Sequence, residues 1–271
     1  MRKFTLHTLL AATFGLTFML TSGSAVAGNF HVSPIRLDIG PVATSGVLTI
    51  RNDSPEDTVV VQAKLLKWSQ SAGEDVTVPT TELIVNPPIF TLKPGGQQLI
   101  RIGSRESRLV DNGSELSYRI VLAEVPQVRG PDFRGVNVAL QVSIPIFFSP
   151  TLGLSVAAPQ ITVDRNADGH VIARVENRSP KSLKINQASL LDRATKTQLA
   201  DVSRTRYVLA NSTAVLTFKG AVPVPSSFTL QLVADSGVYT LDVTESRVPA
   251  LPTPATATGT VTSPVGGALP K

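Results

Sequence analysis

Apolar residues alternate with polar ones along much of the chain, most clearly in VNVALQVSIPIFF at 136–148. Every even-numbered position from Val136 to Ile146 carries a branched aliphatic side chain, and this period of two predicts a β-strand with one apolar side. The preceding segment, PQVRGPDFRG at 126–135, is rich in Pro, Gly and Arg and predicts an exposed loop. The sequence therefore runs an apolar strand directly out of a segment that we expect in solvent.

Short alternating segments of the same kind recur through the chain and predict two β-sandwiches. The first set of expected strands lies near 31–39, 46–51, 58–67, 82–85, 98–103, 117–125 and 136–148. The second set lies near 160–164, 170–176, 182–190, 197–200, 213–218, 227–233 and 238–243. Each set has the strand number of an immunoglobulin-like domain, and no amphipathic helix of useful length interrupts them. The expected fold class is all-β.

The first 27 residues have the features of a secretory signal peptide. Arg2 and Lys3 precede an apolar run, which ends before the small-residue site Ala25-Val26-Ala27. A membrane anchor is the alternative, but the run is short and ends in a cleavable signature. Because no later apolar run reaches the length of a membrane span, we expect an exported protein with no membrane insertion after signal cleavage.

Two domains and a tail are expected after the signal peptide at 1–27. We expect an N-terminal immunoglobulin-like domain at 28–150 and a C-terminal β-sandwich at 151–247. The final stretch, 248–271, consists mainly of Pro, Ala, Thr and Gly, a composition that buries too little apolar surface to offset the entropy of ordering. We expect this tail to be disordered, and a functional role for it stays open.

Composition and charge exclude several classes of protein. The chain has no cysteine, which excludes disulfides and zinc sites built on thiolates. After signal cleavage only His31 and His170 remain, too few for a histidine metal site or a convincing catalytic triad. The formal charge of +5 falls to +3 without Arg2 and Lys3, which is too mild to argue for nucleic acid. We expect no enzyme, no catalytic residue, no cofactor and no metal.

Several segments of the first domain are more informative together than alone. They are VSPIRLDI at 32–39, NPPIFTLKPGGQQLIRI at 86–102, and YRIVLAEVP at 118–126 followed by NVALQVSIPIFFSP at 137–150. In this order, behind a signal peptide and in a cysteine-free double sandwich, they resemble the periplasmic pilus-assembly chaperones of the PapD-like, chaperone-usher type. The segment NRSPKSLKINQASL at 177–190 is similar to the start of the second domain in that family.

The resemblance implies two immunoglobulin-like domains set at an angle, with a cleft between them. It also implies a periplasmic location, pilin or fimbrial subunits as clients, and an outer-membrane usher to which the subunits are delivered. Its mechanism is donor-strand complementation, in which the chaperone lends a strand to a subunit that lacks one. The strand lent would be the last strand of the first domain.

The residues themselves support part of that mechanism. An edge strand with an apolar row invites pairing, and proteins normally blunt such edges with charge, proline or bulges. Here the row continues unblunted up to Pro145. The expected donor residues are Val136, Val138, Leu140, Val142 and Ile144. The alternative is that all five side chains face the core of their own domain. The donor hypothesis requires only that the first three be offered to a client.

The resemblance also implies an anchor for the client's C-terminal carboxylate. Relatives of the better-known branch use an Arg on the first strand, which corresponds to Arg36, and a Lys that corresponds here to Pro145. Pairing of 117–125 with 136–148 would bring Arg119 close to that position, so Arg36 and Arg119 are the expected anchor. Arg101 is a weaker candidate. This departure makes the chain resemble the archaic, or non-classical, branch.

Two other functions compete with the chaperone. One is a structural or adhesive surface protein, such as a pilus subunit, but such subunits are usually single incomplete domains. The other is a hydrolase on a β-sandwich, for which the sequence offers no plausible set of catalytic residues.

Overall fold

The computed structural model describes residues 30–106, 113–126, 138–149, 154, 157–219 and 224–244. The predicted signal peptide, the predicted tail and Val136 lie outside these residues. Within them the assigned elements are all β-strands, which confirms the all-β prediction. No helix in the described residues is long and apolar enough to cross a membrane.

The described residues of the first domain contain ten strands. They are β1 (Phe30–Ser33), β2 (Leu37–Ile39), β3 (Ser45–Asn52), β4 (Val59–Ser71), β5 (Glu74–Pro79), β6 (Leu83–Asn86), β7 (Ile89–Leu92), β8 (Gln97–Ser104), β9 (Leu116–Glu124) and β10 (Gln141–Phe148). One sheet has the order β1-β3-β8-β6 and the other β2-β10-β9-β4-β5, with β7 also paired to β4. The alternating apolar residues of both sheets meet in one core, which includes Leu48, Ile100, Ile120 and Ile146.

The second domain repeats the architecture with eight strands in the described residues. They are β11 (Gln160–Arg165), β12 (Val171–Asn177), β13 (Leu183–Asp192), β14 (Gln198–Val202), β15 (Arg206–Val208), β16 (Ser212–Phe218), β17 (Ser227–Ala234) and β18 (Gly237–Thr244). The sheet β11-β12-β16 faces the sheet β14-β13-β17-β18, in which β15 also pairs with β13. Their core is separate from that of the first domain and includes Val175, Leu190, Leu216 and Phe228.

The expected single strand at 31–39 is wrong, because the segment divides into β1 and β2. β1 pairs antiparallel with β3 in one sheet, whereas β2 pairs parallel with β10 in the other. Pro34 follows β1 and cannot donate a backbone hydrogen bond, so the ladder ends there. Arg36 lies at this change of sheet, immediately before β2.

The expected strands also leave the segment between 67 and 82 without a strand, and this is wrong. The turn consists of Ala72 and Gly73, which have φ angles of 52° and 86°, and β5 begins at Glu74. Every residue of β5 is exposed, so the strand lacks the buried alternation that marks the others. The short strands β7 and β15 were missed as well, because four and three residues are too few for a period to emerge.

The predicted hairpin between the segments 117–125 and 136–148 is confirmed. β10 pairs antiparallel with β9, and Arg119 lies directly opposite Pro145. The strand itself is shorter than expected, since it begins at Gln141. Leu140 nevertheless continues the ladder, because its carbonyl accepts a hydrogen bond of 2.8 Å from the backbone N–H of Glu124.

Candidate functional site

A small aromatic cluster lies between the two domains, separate from both cores. It contains Trp68 on β4, Phe147 on β10 and Tyr207 on β15, and we call these three residues the aromatic platform. Their ring centroids lie 5.5–6.0 Å apart. In β10 the even-numbered neighbours of Phe147 point into the core, so the strand's period of two directs Phe147 to the opposite side.

Hydrogen bonds join the second domain to β4 and its turn beside this platform. The side chain of Gln70 donates to the carbonyl of Tyr207 at 2.8 Å and accepts from the backbone N–H of Leu209 at 3.0 Å. At the tip of the same hairpin, the carbonyl of Gly73 accepts from the backbone N–H of Val215 at 3.2 Å. A Cβ on Gly73 would lie 2.3 Å from the Val215 side chain, so this close approach requires glycine. The backbone around Tyr207 is therefore held against the first domain by hydrogen bonds with the Gln70 side chain.

Arg36 lies over the Phe147 and Tyr207 rings of the platform and is already paired with a carboxylate. Its guanidinium carbon lies 4.5 Å from the ring centroid of Phe147 and 5.6 Å from that of Tyr207. Its Nε and Nη2 donate to Asp38 at 2.8–3.0 Å, and its Nη1 lies 3.9 Å from Asp235 of the second domain. Burial alone would lower the pKa of Arg36, but the hydrogen bond and charge of Asp38 raise it above its ordinary value.

Arg119 lies over the Trp68 ring of the platform and is paired more loosely. Its guanidinium carbon is 3.7 Å from the ring centroid of Trp68, and its Nη1 donates to the hydroxyl of Ser143 at 3.4 Å. The carboxylate of Asp75 is 3.7 Å from Nη2, beyond hydrogen-bonding distance. Burial lowers the pKa of Arg119, although Asp75 opposes this shift, and the group stays charged at any physiological pH.

The two predicted anchor residues thus stand on one aromatic platform, next to the end of β10. Both side chains are about one-fifth exposed, at 21% and 22% for Arg36 and Arg119. A guanidinium binds a carboxylate with two parallel hydrogen bonds, and its face stacks well on aromatic rings. Arg101 lies instead on β8 in the other sheet, where it contacts the hydroxyl of Ser45 at 3.2 Å. The role of Arg36 and Arg119 as a carboxylate anchor stays a prediction.

The predicted donor residues become progressively more buried along the chain. Val138 is 74% exposed, Leu140 and Val142 are half-buried against the domain's own core, and Ile144 is 1% exposed. Val136 lies outside the described residues. On the side away from β9, β10 pairs with β2 only from Ile146 onward. In the described residues the early part of β10 therefore has one edge without a strand partner, and the donor assignment stays a prediction.

A buried carboxyl group lies at the joint between the domains, just before β9. The backbone N–H of Glu115 donates to the carbonyl of Pro180 at 2.8 Å, and its Oε1 accepts from the backbone N–H of Ser182 at 3.1 Å. Burial raises the pKa of Glu115, against the opposing influence of Ser182 and Arg36. No group of His, Cys, Asp or Glu in the described part of the chain is arranged to hold a metal ion.

Sequence reasoning missed Trp68, Gln70, Tyr207 and Glu115. For Trp68 a signal existed: in β4 the odd-numbered positions Val59 to Ala63 are buried in the core, which places Trp68 on the opposite side. A large aromatic residue on the side of a strand that faces away from the core is expected to pack against another part of the protein or a partner. For the other three no local pattern was available, because their partners belong to the other domain.

Comparison with known proteins connects this chain to one family. Residues 29–153 match the family described as pili and flagellar-assembly chaperone, PapD N-terminal domain. The chain is 28% identical over 209 residues to the Chaperone protein FaeE of Escherichia coli, and the alignment covers 76% of each protein. This alignment extends well into the second domain, so the likeness is not confined to the first.

Solved structures show the same fold at lower identity. A chain of the CsuC-CsuE chaperone-tip adhesion subunit pre-assembly complex, from archaic chaperone-usher Csu pili of Acinetobacter baumannii, has a TM-score of 0.59 and 22% identity, covering 80% of this chain and 99% of that one. A chain of the Salmonella enterica SafA pilin in complex with the SafB chaperone has a TM-score of 0.56 and 16% identity, covering 81% and 99%. Both likenesses concern the two-sandwich architecture.

Proposed function

We propose that this chain is a member of the family of pili and flagellar-assembly chaperones with a PapD N-terminal domain, and that it lends a strand to pilin or fimbrial subunits and holds their C-terminal carboxylate. The observation that carries the proposal is the pair of guanidinium groups on one aromatic platform beside the open edge of β10. The open edge suits an extended apolar strand, and the guanidinium groups suit the charged C-terminal end of that strand.

The edge of β10 that lacks a strand partner accounts for donor-strand complementation. An incomplete subunit exposes an apolar groove and a row of unpaired backbone groups, and a strand laid into it satisfies both; chaperone–pilin complexes are the established example of such strand addition. Val138 is exposed and Leu140 is only half-buried, so these two side chains are available to fill a client's groove. Ile144 lies in the chaperone's own core and would hold the lent strand in place.

The two arginines account for the register in which a client strand pairs with β10. A client strand that pairs with the early part of β10 is stopped where β2 occupies the same edge, from Ile146 onward. Arg119, opposite Pro145, lies next to that point. A C-terminal carboxylate bound there by charge-assisted hydrogen bonds would fix which client residues face Val138 and Leu140. Pro145 contributes neither a backbone nor a side-chain donor, so the cation comes from β9 instead.

Export and delivery complete the proposal. The predicted signal peptide would carry the chain across the inner membrane, and the mature protein would work in the periplasm. There it would pass its subunits to an outer-membrane usher. The archaic branch is the one that the replacement of Lys by Pro145 favours.

The direct test is co-purification of a candidate pilin subunit with three charge variants. Arg119→Ala and Arg36→Ala each remove a charge-assisted contact, which is about 1.5–3 kcal/mol or roughly 10- to 150-fold in affinity. Arg101→Ala, the matched control on the other sheet, leaves subunit recovery unchanged. Equal recovery with all three variants, each with a parental melting curve, would contradict the anchor assignment.

A further inference from the structure

Trp68 is the single tryptophan of the chain, and it lies where the predicted anchor needs support. Its side chain is buried between the two domains, with only 3% of the residue's surface exposed. Its Nε1 is buried and has no hydrogen-bond partner among the described residues. An indole is buried with its N–H unpaired only at a cost, so packing or stacking must favour this position.

The strand register brings Trp68 to Arg119. β4 pairs with β9 so that Leu66 lies opposite Arg119, and Trp68 is two residues further along on the same side of the sheet. This diagonal relation is within reach of long side chains. The guanidinium carbon lies 3.7 Å from the centroid of the indole ring, which is close for a cation–π contact.

Stacking determines which atoms of Arg119 stay available. A guanidinium that rests on a ring with its face keeps its five N–H donors at its rim. In the described residues only the 3.4 Å contact to Ser143 uses one of them, and Asp75 remains at 3.7 Å. Arg36 differs, because Asp38 already occupies two of its donor positions. Arg119 is thus the cation with donors to offer.

We infer that Trp68 is a positioning residue, whose indole holds the Arg119 guanidinium with its donor rim directed to the carboxylate at the end of a client strand. This inference rests on the proposed function. An unsupported arginine side chain samples many rotamers, and a carboxylate would then have to order it on binding. The platform orders it beforehand, so the carboxylate meets a fixed donor pair.

The test compares one peptide with two different ends. The probe is N-acetylated Val-Thr-Val-Thr-Val-Tyr, either as the free carboxylate or as the C-terminal amide, titrated calorimetrically into the full chain. For the parent we expect the carboxylate form to bind about tenfold more tightly than the amide. Arg119→Ala and Trp68→Leu should both reduce this ratio to about twofold or less, whereas Trp68→Phe, which keeps a stacking ring, should keep most of it.

The outcomes separate the inference from the proposed function. If the parent binds both peptides equally, the anchor itself is wrong, and the inference fails with it. If the parent and Arg119→Ala behave as expected but Trp68→Leu keeps the full ratio, only the positioning role is overturned. A loss of affinity for both peptides alike in Trp68→Leu also overturns it, since a general packing defect does not distinguish a carboxylate from an amide.

A second measurement applies even if Trp68→Leu does not fold. Because Trp68 is the only tryptophan, its fluorescence reports this site alone. Arg119→Ala uncovers one face of the indole, so acrylamide should quench its emission about twofold more efficiently than in the parent, while Arg101→Ala leaves quenching unchanged. Binding of the carboxylate peptide should change the parent's emission, and binding of the amide should not. Unchanged acrylamide quenching in Arg119→Ala would overturn the inference.

Discussion

The two ends of the segment 138–148 follow the same alternation of apolar and polar residues, but they differ in burial and in strand pairing. At the late end, Ile146 is fully buried in its own domain, and β2 completes the edge of the sheet. At the early end, Val138 is exposed, and the edge has no strand partner in the described residues. A period of two therefore shows that a row of apolar side chains packs against something, but it does not show whether its own domain or another chain provides the contact.

The largest effect is expected at the late end, on folding. Ile146→Ala removes buried methyl and methylene groups from the core and should lower the free energy of unfolding by about 2–5 kcal/mol. Val138→Ala, the matched change at the early end, should alter it by less than about 0.5 kcal/mol. Urea unfolding followed by circular dichroism measures both. Equal losses would mean that Val138 is packed in the domain's own core as Ile146 is, and would contradict its assignment to a client.

A smaller, pH-dependent effect is expected at Glu115, which precedes the β9 residue paired with the last residue of β10. Its pKa is raised by burial, so the folded state binds the proton more tightly than the unfolded state does. The stability contributed by this proton is present below the unfolded pKa of about 4.3 and is lost as the pH rises through the folded value.

Glu115→Gln should therefore be more stable than the parent at pH 7, by about 1 kcal/mol, because an amide has no charge to bury. The amide oxygen can still accept from Ser182. At a pH of about 3.5 the advantage should vanish, because the parent carboxyl is then mostly neutral in both states. Thermal unfolding at the two pH values measures the difference. An advantage that is equal at both pH values would show that the charge is not the cause.

The sequence predicted the fold class and the pairing of β9 with β10, because both depend on local periodicity. Antiparallel pairing of the two predicted strands was enough to predict that Arg119 lies close to Pro145. The aromatic platform could not be predicted in this way. Tyr207 is 139 positions beyond Trp68 and is held there through Gln70, so its place depends on how two domains meet.

A short motif is repeated in the two domains. N-x-S-P occurs at 52–55 and again at 177–180, at the end of a strand in each domain. Asn52 donates to three backbone carbonyls at 2.7–3.2 Å, and Asn177 does the same at 2.8–3.0 Å. The repeat predicts two domains of one architecture more directly than strand counting does. In the second domain the same corner also receives Glu115, through Pro180.

If the early end of the segment 138–148 is lent to a client, as we propose, two charge variants on different sheets should differ in their affinity for a subunit. Leu140→Asp places a charge in the client's apolar groove, whereas Leu99→Asp places one on the other sheet, where Leu99 is already 59% exposed. The measurement is the affinity of each folded variant for a candidate pilin subunit. We expect Leu140→Asp to weaken binding by about 2–4 kcal/mol and Leu99→Asp to leave it unchanged. Equal affinities of Leu140→Asp and the parent would contradict the account.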